Sequence, residues 1–244
     1  MTSAPLLLAG AALGVAASAA AADPSACSVR SAAAPAPIVE LYTSEGCSSC
    51  PPADRWLSTL KSDPGVLAFA FHVGYWDYIG WKDRFAHPVH GLRQGQQLAV
   101  NGARVRYTPQ VVLNGADQPV WPALRPPLAA GAARAAVDLT LARDGDRFSA
   151  TVQPTAGAPA RLAAWWAVTE HGHVSAVRAG ENDGATLRHD FVVREYRPVA
   201  AWAGATTLQF TPGVPSDPAH PRQVSLVVVD AASGKPLQAL RLGC

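Results

Sequence analysis

Val39-Glu40-Leu41-Tyr42-Thr43-Ser44-Glu45-Gly46-Cys47-Ser48-Ser49-Cys50-Pro51-Pro52-Ala53-Asp54 joins an apolar run to a helix-like stretch through a Cys-x-x-Cys pair. The run over 38–43 predicts a short strand, and 50–60 has the pattern of a helix. Prolines 51 and 52 would break a helix interior. In a first turn the N–H groups have no intrahelical partner, and proline is tolerated there. The prolines therefore predict a helix that begins at the cysteines. At such a terminus unpaired N–H groups and the positive end of the helix dipole converge on Cys47. They favour a thiolate and lower the thiol pKa from about 8.5 toward about 3.5–7.5. Cys50 lies one turn on and can close a disulfide. Cys47 is accordingly expected to be the accessible thiol and Cys50 the buried one.

The chain has 244 residues, 49% hydrophobic and 16% charged, enough to bury a sizeable core and too apolar for general disorder. A net charge of +2 gives no electrostatic footprint for nucleic acid, and no nucleic-acid partner is expected. Residues 1–22 hold an apolar run and then small residues, as in the apolar region and cleavage zone of a secretory signal segment, though residues 1–5 lack the Lys or Arg usual at its start. The mature chain is expected in the periplasm or outside the cell, with no membrane span. Such a compartment permits disulfides. The four cysteines allow three pairings. Cys47 with Cys50 is the local one, and it leaves Cys27 and Cys244 as a structural staple.

Two textures divide the rest. Over 36–136, apolar strands at 38–43, 66–73 and 110–113 alternate with helical patterns at 50–60, 87–100 and 124–136. Alternation of this kind predicts an α/β domain with an at least partly parallel sheet and helices on both faces. Over 137–244, short period-two runs at 137–141, 148–152, 162–169, 187–194, 207–211, 224–229 and 237–242 are separated by turn signals such as Asn182-Asp183-Gly184. They predict an antiparallel, all-β immunoglobulin-like sandwich.

Tyr107-Thr108-Pro109-Gln110-Val111-Val112-Leu113 sets a proline just before a strand, after a full α/β crossover from the cysteine pair. Here the 36–136 segment resembles the thioredoxin superfamily. That resemblance implies a cis Pro109 facing Cys47 and Cys50, with the Thr108 backbone pairing to an extended substrate. It also implies a mixed sheet with flanking helices. The stretch opening at Val39, together with His72-Val73-Gly74-Tyr75-Trp76-Asp77-Tyr78-Ile79-Gly80-Trp81-Lys82-Asp83, Arg93-Gln94 and Gly180-Glu181-Asn182-Asp183-Gly184, resembles a bacterial secreted thioredoxin-like family of uncharacterised function, domain of unknown function 1223. Gly74 and Arg84 depart from that pattern, where an acidic residue and a proline are expected. The family supplies a fold and a compartment but no substrate.

The reading is a thiol–disulfide oxidoreductase whose catalytic residues are Cys47, Cys50, Glu40 and Pro109. Its only redox group is the Cys47–Cys50 disulfide, with no cofactor and no resident metal, and its partner is a protein or small thiol or disulfide. Glu40 is either a buried proton acceptor beneath the pair or the partner of a basic residue elsewhere. Thr108, Tyr75, Trp76 and Trp81 are candidate substrate contacts, the aromatic loop alternatively serving as a cap over the sheet end. Arg178, Glu181, Asn182, Arg188 and Arg194 read as hairpin and interface residues. The histidines, His72 included, read as solvated or hydrogen-bonded side chains. Two other function classes compete: a copper chaperone using Cys47, Cys50 and His72, and a non-catalytic interaction module. A structural zinc site on the cysteine pair is disfavoured, since no second ligand pair at finger spacing exists.

Overall fold

The computed structural model of the chain describes Met1, residues 27–130 and residues 132–243. The rest of the expected signal segment after Met1, and Cys244 with the expected Cys27–Cys244 staple, lie outside the described residues. In chain order the elements are β1 (Cys27–Arg30), β2 (Ile38–Thr43), α1 (Pro51–Thr59), β3 (Leu67–His72), α2 (Pro88–Asn101), β4 (Gln110–Leu113) and β5 (Ala116–Asp117). The all-β part follows: β6 (Val137–Asp144), β7 (Arg147–Pro154), β8 (Leu162–Glu170), β9 (His173–Ala176), β10 (Thr186–His189), β11 (Val192–Trp202), β12 (Thr206–Phe210), β13 (Arg222–Asp230) and β14 (Pro236–Leu242). This is a mixed α/β fold dominated by sheet. Among the described residues no helix is long and apolar enough to cross a membrane.

One sheet runs through both textures, in the order β14-β13-β8-β11-β3-β2-β4-β5. β2 and β3 are parallel, and β4 is antiparallel to β2. The two regions meet where Val192 of β11 pairs in parallel with Ala70 of β3, and Ala70 N–H donates to the Phe191 carbonyl at 2.8 Å. A second sheet, β1-β6-β7-β12, packs on the antiparallel end of the first. β9 and β10 form a separate hairpin.

Strand alternation assigns each side chain to a layer. Val39 and Leu41 of β2 pack with Ala53, Leu57 and Leu60 of the α1 region, whereas Ile38 and Tyr42 pack with Phe69, Phe71 and Trp165 on the opposite face. Adjacent Trp165 and Trp166 face opposite layers. Trp165 lies edge-on to Phe69 at 4.8 Å, and Trp166 stacks on Phe210 of the second sheet at 5.1 Å.

Two expectations need revision. Among the described residues of 124–136 there is no closing helix; a 3-10 turn at Trp121–Ala123 precedes irregular chain. Pro126 and Pro127 lack donors, and the Leu128 N–H bonds the Asp63 carboxylate at 2.9 Å rather than a carbonyl one turn back. The run 187–194 is also two strands, because Phe191 takes a left-handed φ of +56° and turns the chain from β10 into β11. Its buried ring in the α1-side core holds that bend.

Candidate redox site at the Cys47–Cys50 pair

β2 delivers the chain to a tight loop at the N-terminus of α1. Cys47 N–H bonds the Ser44 carbonyl, Cys50 N–H bonds the Cys47 carbonyl, and the N–H groups of Ala53 and Asp54 bond the Cys50 carbonyl at 2.9 and 3.1 Å. Cys50 is thus the N-cap, and Pro51 and Pro52 fill the first turn, where their missing donors cost least. Cys47 and Cys50 are joined as a disulfide with Cα atoms 5.4 Å apart. The Ser49 hydroxyl lies 3.3 Å from Cys47 Sγ.

Exposure differs from expectation. Ser48 and Ser49 are exposed, but Cys47 is only 1% accessible and Cys50 0%. Two segments remote in sequence close over the loop. The 3-10 turn Gly74–Ile79 brings Trp76 so near Gly46 that a Cβ there would stand 3.0 Å from Trp76 Cβ. The 3-10 turn Gly180–Asn182 supplies Asn182, whose Nδ2 donates to the carbonyls of Glu45 at 2.8 Å and Cys47 at 3.0 Å. Beside it the Glu181 carboxylate accepts from Ser48 N–H at 3.0 Å, and that hydrogen bond holds the Glu181 carboxyl below its usual range. Sequence reasoning left Glu181 and Asn182 at a hairpin; only the hairpin's fold-back reveals them as a latch on the disulfide loop.

Thr108 joins this assembly, since its hydroxyl accepts from Trp76 Nε1 at 2.8 Å, and the Thr108–Pro109 bond is cis. Trp81 Nε1 donates to Glu45 Oε2 at 2.8 Å. Tyr75 and Tyr78 leave ring surface in solvent. The aromatic loop therefore caps the disulfide through Trp76 and Trp81 and keeps its tyrosines outside.

Glu40 is not brought to the disulfide. It lies on the α2 side of β2, where Arg93 donates to both its oxygens at 2.7 and 3.0 Å, Gln97 at 3.0 Å and Tyr42 OH at 2.7 Å. Of the two readings of Glu40, this is the pairing with a basic residue. The buried acids around the disulfide loop are instead Glu45, Asp54 and Asp83. Asp83 Oδ2 is 2.7 Å from His72 Nδ1 and accepts from Glu45 N–H at 2.9 Å. Burial pushes the His72 pKa down, and the Asp83 carboxylate overrides it, so the net displacement is upward; burial raises Asp83, and the His72 contact carries it below its usual range. Burial raises Asp54, only partly offset by His189 and His72. Asp54, His72 and His189 present one donor atom each within 4.8 Å of one another, the arrangement among the described residues suited to a metal.

The family described as protein of unknown function (DUF1223) matches residues 38–230. The chain belongs to that family. Two solved structures resemble this DUF1223 chain. One is the crystal structure of protein AGR_C_4864 from Agrobacterium tumefaciens, 22% identical, covering 87% of this chain and 96% of its own, with a TM-score of 0.62. The other is HBP35 of Porphyromonas gingivalis, 14% identical over 87% of this chain and 76% of its own, with a TM-score of 0.58. At such identities the likeness is one of fold. No curated protein matches this DUF1223 chain.

Proposed function

We propose that this DUF1223 protein is an exported thiol–disulfide oxidoreductase acting through Cys47 and Cys50. The observation that carries the reading is the closed Cys47–Cys50 disulfide at the N-terminus of α1, with Cys50 as its N-cap. The positive end of the helix dipole at that point favours a thiolate when the bond opens. The succession β2-α1-β3-α2-β4, with β2 parallel to β3 and antiparallel to β4, supports a thioredoxin-like arrangement of this half.

The exchange balances without a cofactor. A partner thiolate attacks Cys47 Sγ, the Cys47–Cys50 bond breaks, and its electron pair leaves on Cys50 as a thiolate. A second partner thiolate attacks the partner sulfur of the mixed disulfide. The partner leaves as a disulfide, and Cys47 and Cys50 hold the two electrons. The reduced pair runs the same steps backward on a partner disulfide. Cys47 is the sulfur offered to the partner, since it borders the exposed Ser48-Ser49 turn, whereas Cys50 caps the helix. Burial of Cys47 makes withdrawal of the Asn182 latch part of the cycle.

Oxidised protein is incubated with a dithiol peptide, and released disulfide is followed by mass spectrometry. Stoichiometric oxidation by wild type, its loss in Cys47→Ser, and mixed disulfides trapped by Cys50→Ser are expected. No exchange by folded wild type overturns the proposal.

A further inference from the structure

The polar layer under α1 leaves an electrostatic problem. Glu45, Asp54 and Asp83 are buried together, and among the described residues none makes an ion pair with lysine or arginine. Two imidazoles lie against them, His72 and His189, also buried. His72 spends Nδ1 on Asp83 and leaves Nε2 with no partner. His189 Nε2 stands 3.2 Å from Glu45 Oε1, and His189 Nδ1 has no partner. Two orphaned, buried ring nitrogens in one place, His72 Nε2 and His189 Nδ1, call for an occupant.

We infer that Asp54, His72 and His189 form a binding site for a divalent transition metal ion of the zinc class. One donor atom from each lies within 4.8 Å of the other two, and the three come from α1, β3 and β10. Metal–donor bonds of about 2.0–2.1 Å put tetrahedral donors about 3.3 Å apart, so the side chains close by roughly an ångström on binding. Two imidazoles and a carboxylate suit borderline ions and leave a fourth position for water. Outer contacts are in place. Asp83 orients His72 and leaves Nε2 for the ion, Glu45 adjoins His189, and the Thr43 hydroxyl donates to Asp54 Oδ2 at 3.0 Å. With neutral imidazoles, a divalent cation brings the charge of three carboxylates from −3 to −1. An entrance exists as well: a cavity of about 110 Å³ lined by Pro51, Asp54, Arg55, Leu187, Arg188 and His189. The ion ties α1, whose first turn carries the cysteines, to β3 and the β9–β10 hairpin. It is a brace, and it stands independently of the exchange reaction proposed above.

The probes are Zn²⁺ and Co²⁺ added to chelator-stripped, full-length mature protein. Wild type is expected to take up one ion per chain, to melt at higher temperature with it, and to give a Co²⁺ spectrum without thiolate charge transfer. Asp54→Asn and His189→Gln are expected to weaken uptake by more than about 100-fold, beyond the 10–100-fold typical of an outer partner such as Asp83. His173→Gln and the double variant Cys47→Ser/Cys50→Ser are expected to bind as wild type does. Absence of uptake by wild type at 100-fold excess overturns the inference, as does binding that survives Asp54→Asn and His189→Gln, or is lost with the cysteines. Should those two variants fail to fold, zinc anomalous scattering from wild-type crystals decides. A peak between the three side chains supports the site; a peak elsewhere, or none, overturns it.

Discussion

Replacing Arg93 by methionine separates the two roles open to Glu40. Glu40 and Arg93 are 1% and 5% exposed, and the guanidinium spans both carboxylate oxygens. Methionine fills much of the space and removes the charge. Gln97 and Tyr42 still donate to Glu40, but neither neutralises it. Breaking one side of a buried pair costs about 3–5 kcal/mol, because the remaining charge stays desolvated. For a chain of this size each kcal/mol shifts Tm by about 2–4 °C, so Arg93→Met is expected to melt about 6–20 °C lower. The double variant Glu40→Met/Arg93→Met removes both charges and is expected to regain most of the loss, since hydrophobic replacement of a buried pair is often neutral. Urea unfolding of wild type, both singles and the double gives the coupling energy. On the same material Glu40→Gln is expected to leave the rate of Cys47–Cys50 exchange within about twofold, because Glu40 faces α2 and the cysteines cap α1. A loss below about 1 kcal/mol in Arg93→Met would refute the structural role. A tenfold slower exchange in a stable Glu40→Gln variant would restore the proton-acceptor role.

Asn182→Ala removes both donor bonds to the cysteine loop, worth together about 1–3 kcal/mol, and dithiothreitol should open Cys47–Cys50 about 5–150-fold faster, read by timed alkylation; an unchanged rate removes the latch. Gly46→Ala drives a methyl into Trp76 and should cost about 1–3 kcal/mol, with a changed tryptophan emission; a neutral result means that Trp76 does not hold the loop. Burial pushes the His90 imidazole down to about 4, so the unfolded chain binds more protons between pH 6.5 and 4 and stability is lost as pH falls through that window. Melting across that range should show the decline, and His90→Phe should lessen it, His173, which burial also pushes down to about 4, keeping a share; the same slope in both contradicts the assignment.

The strand-to-helix junction was legible because its signals are local. Pro51 and Pro52 admit only a first turn, and the short apolar run over 38–43 marks β2 just before it. The β9–β10 hairpin was not, because nothing in the run 187–194 marks the left-handed Phe191 that divides β10 from β11. Nor was the single sheet, since the pairing of Val192 with Ala70 leaves no mark in either strand's own pattern. The latch and the metal-ligand cluster failed to show for the same reason: Asn182 reaches Cys47, and His189 reaches Asp54, through tertiary packing alone. Glu40 shows the converse. Its position in β2 was correct, but its face, set by the pleat, carries it to Arg93.

The reduction potential of Cys47–Cys50 tests the proposed exchange most directly. Mature protein is equilibrated in graded glutathione buffers, quenched in acid, and the Cys47–Cys50 thiols counted by alkylation and peptide mass. The account predicts a midpoint between about −120 and −270 mV, the span of pairs that exchange with partners. A midpoint below about −300 mV would make the bond a structural staple and contradict the account.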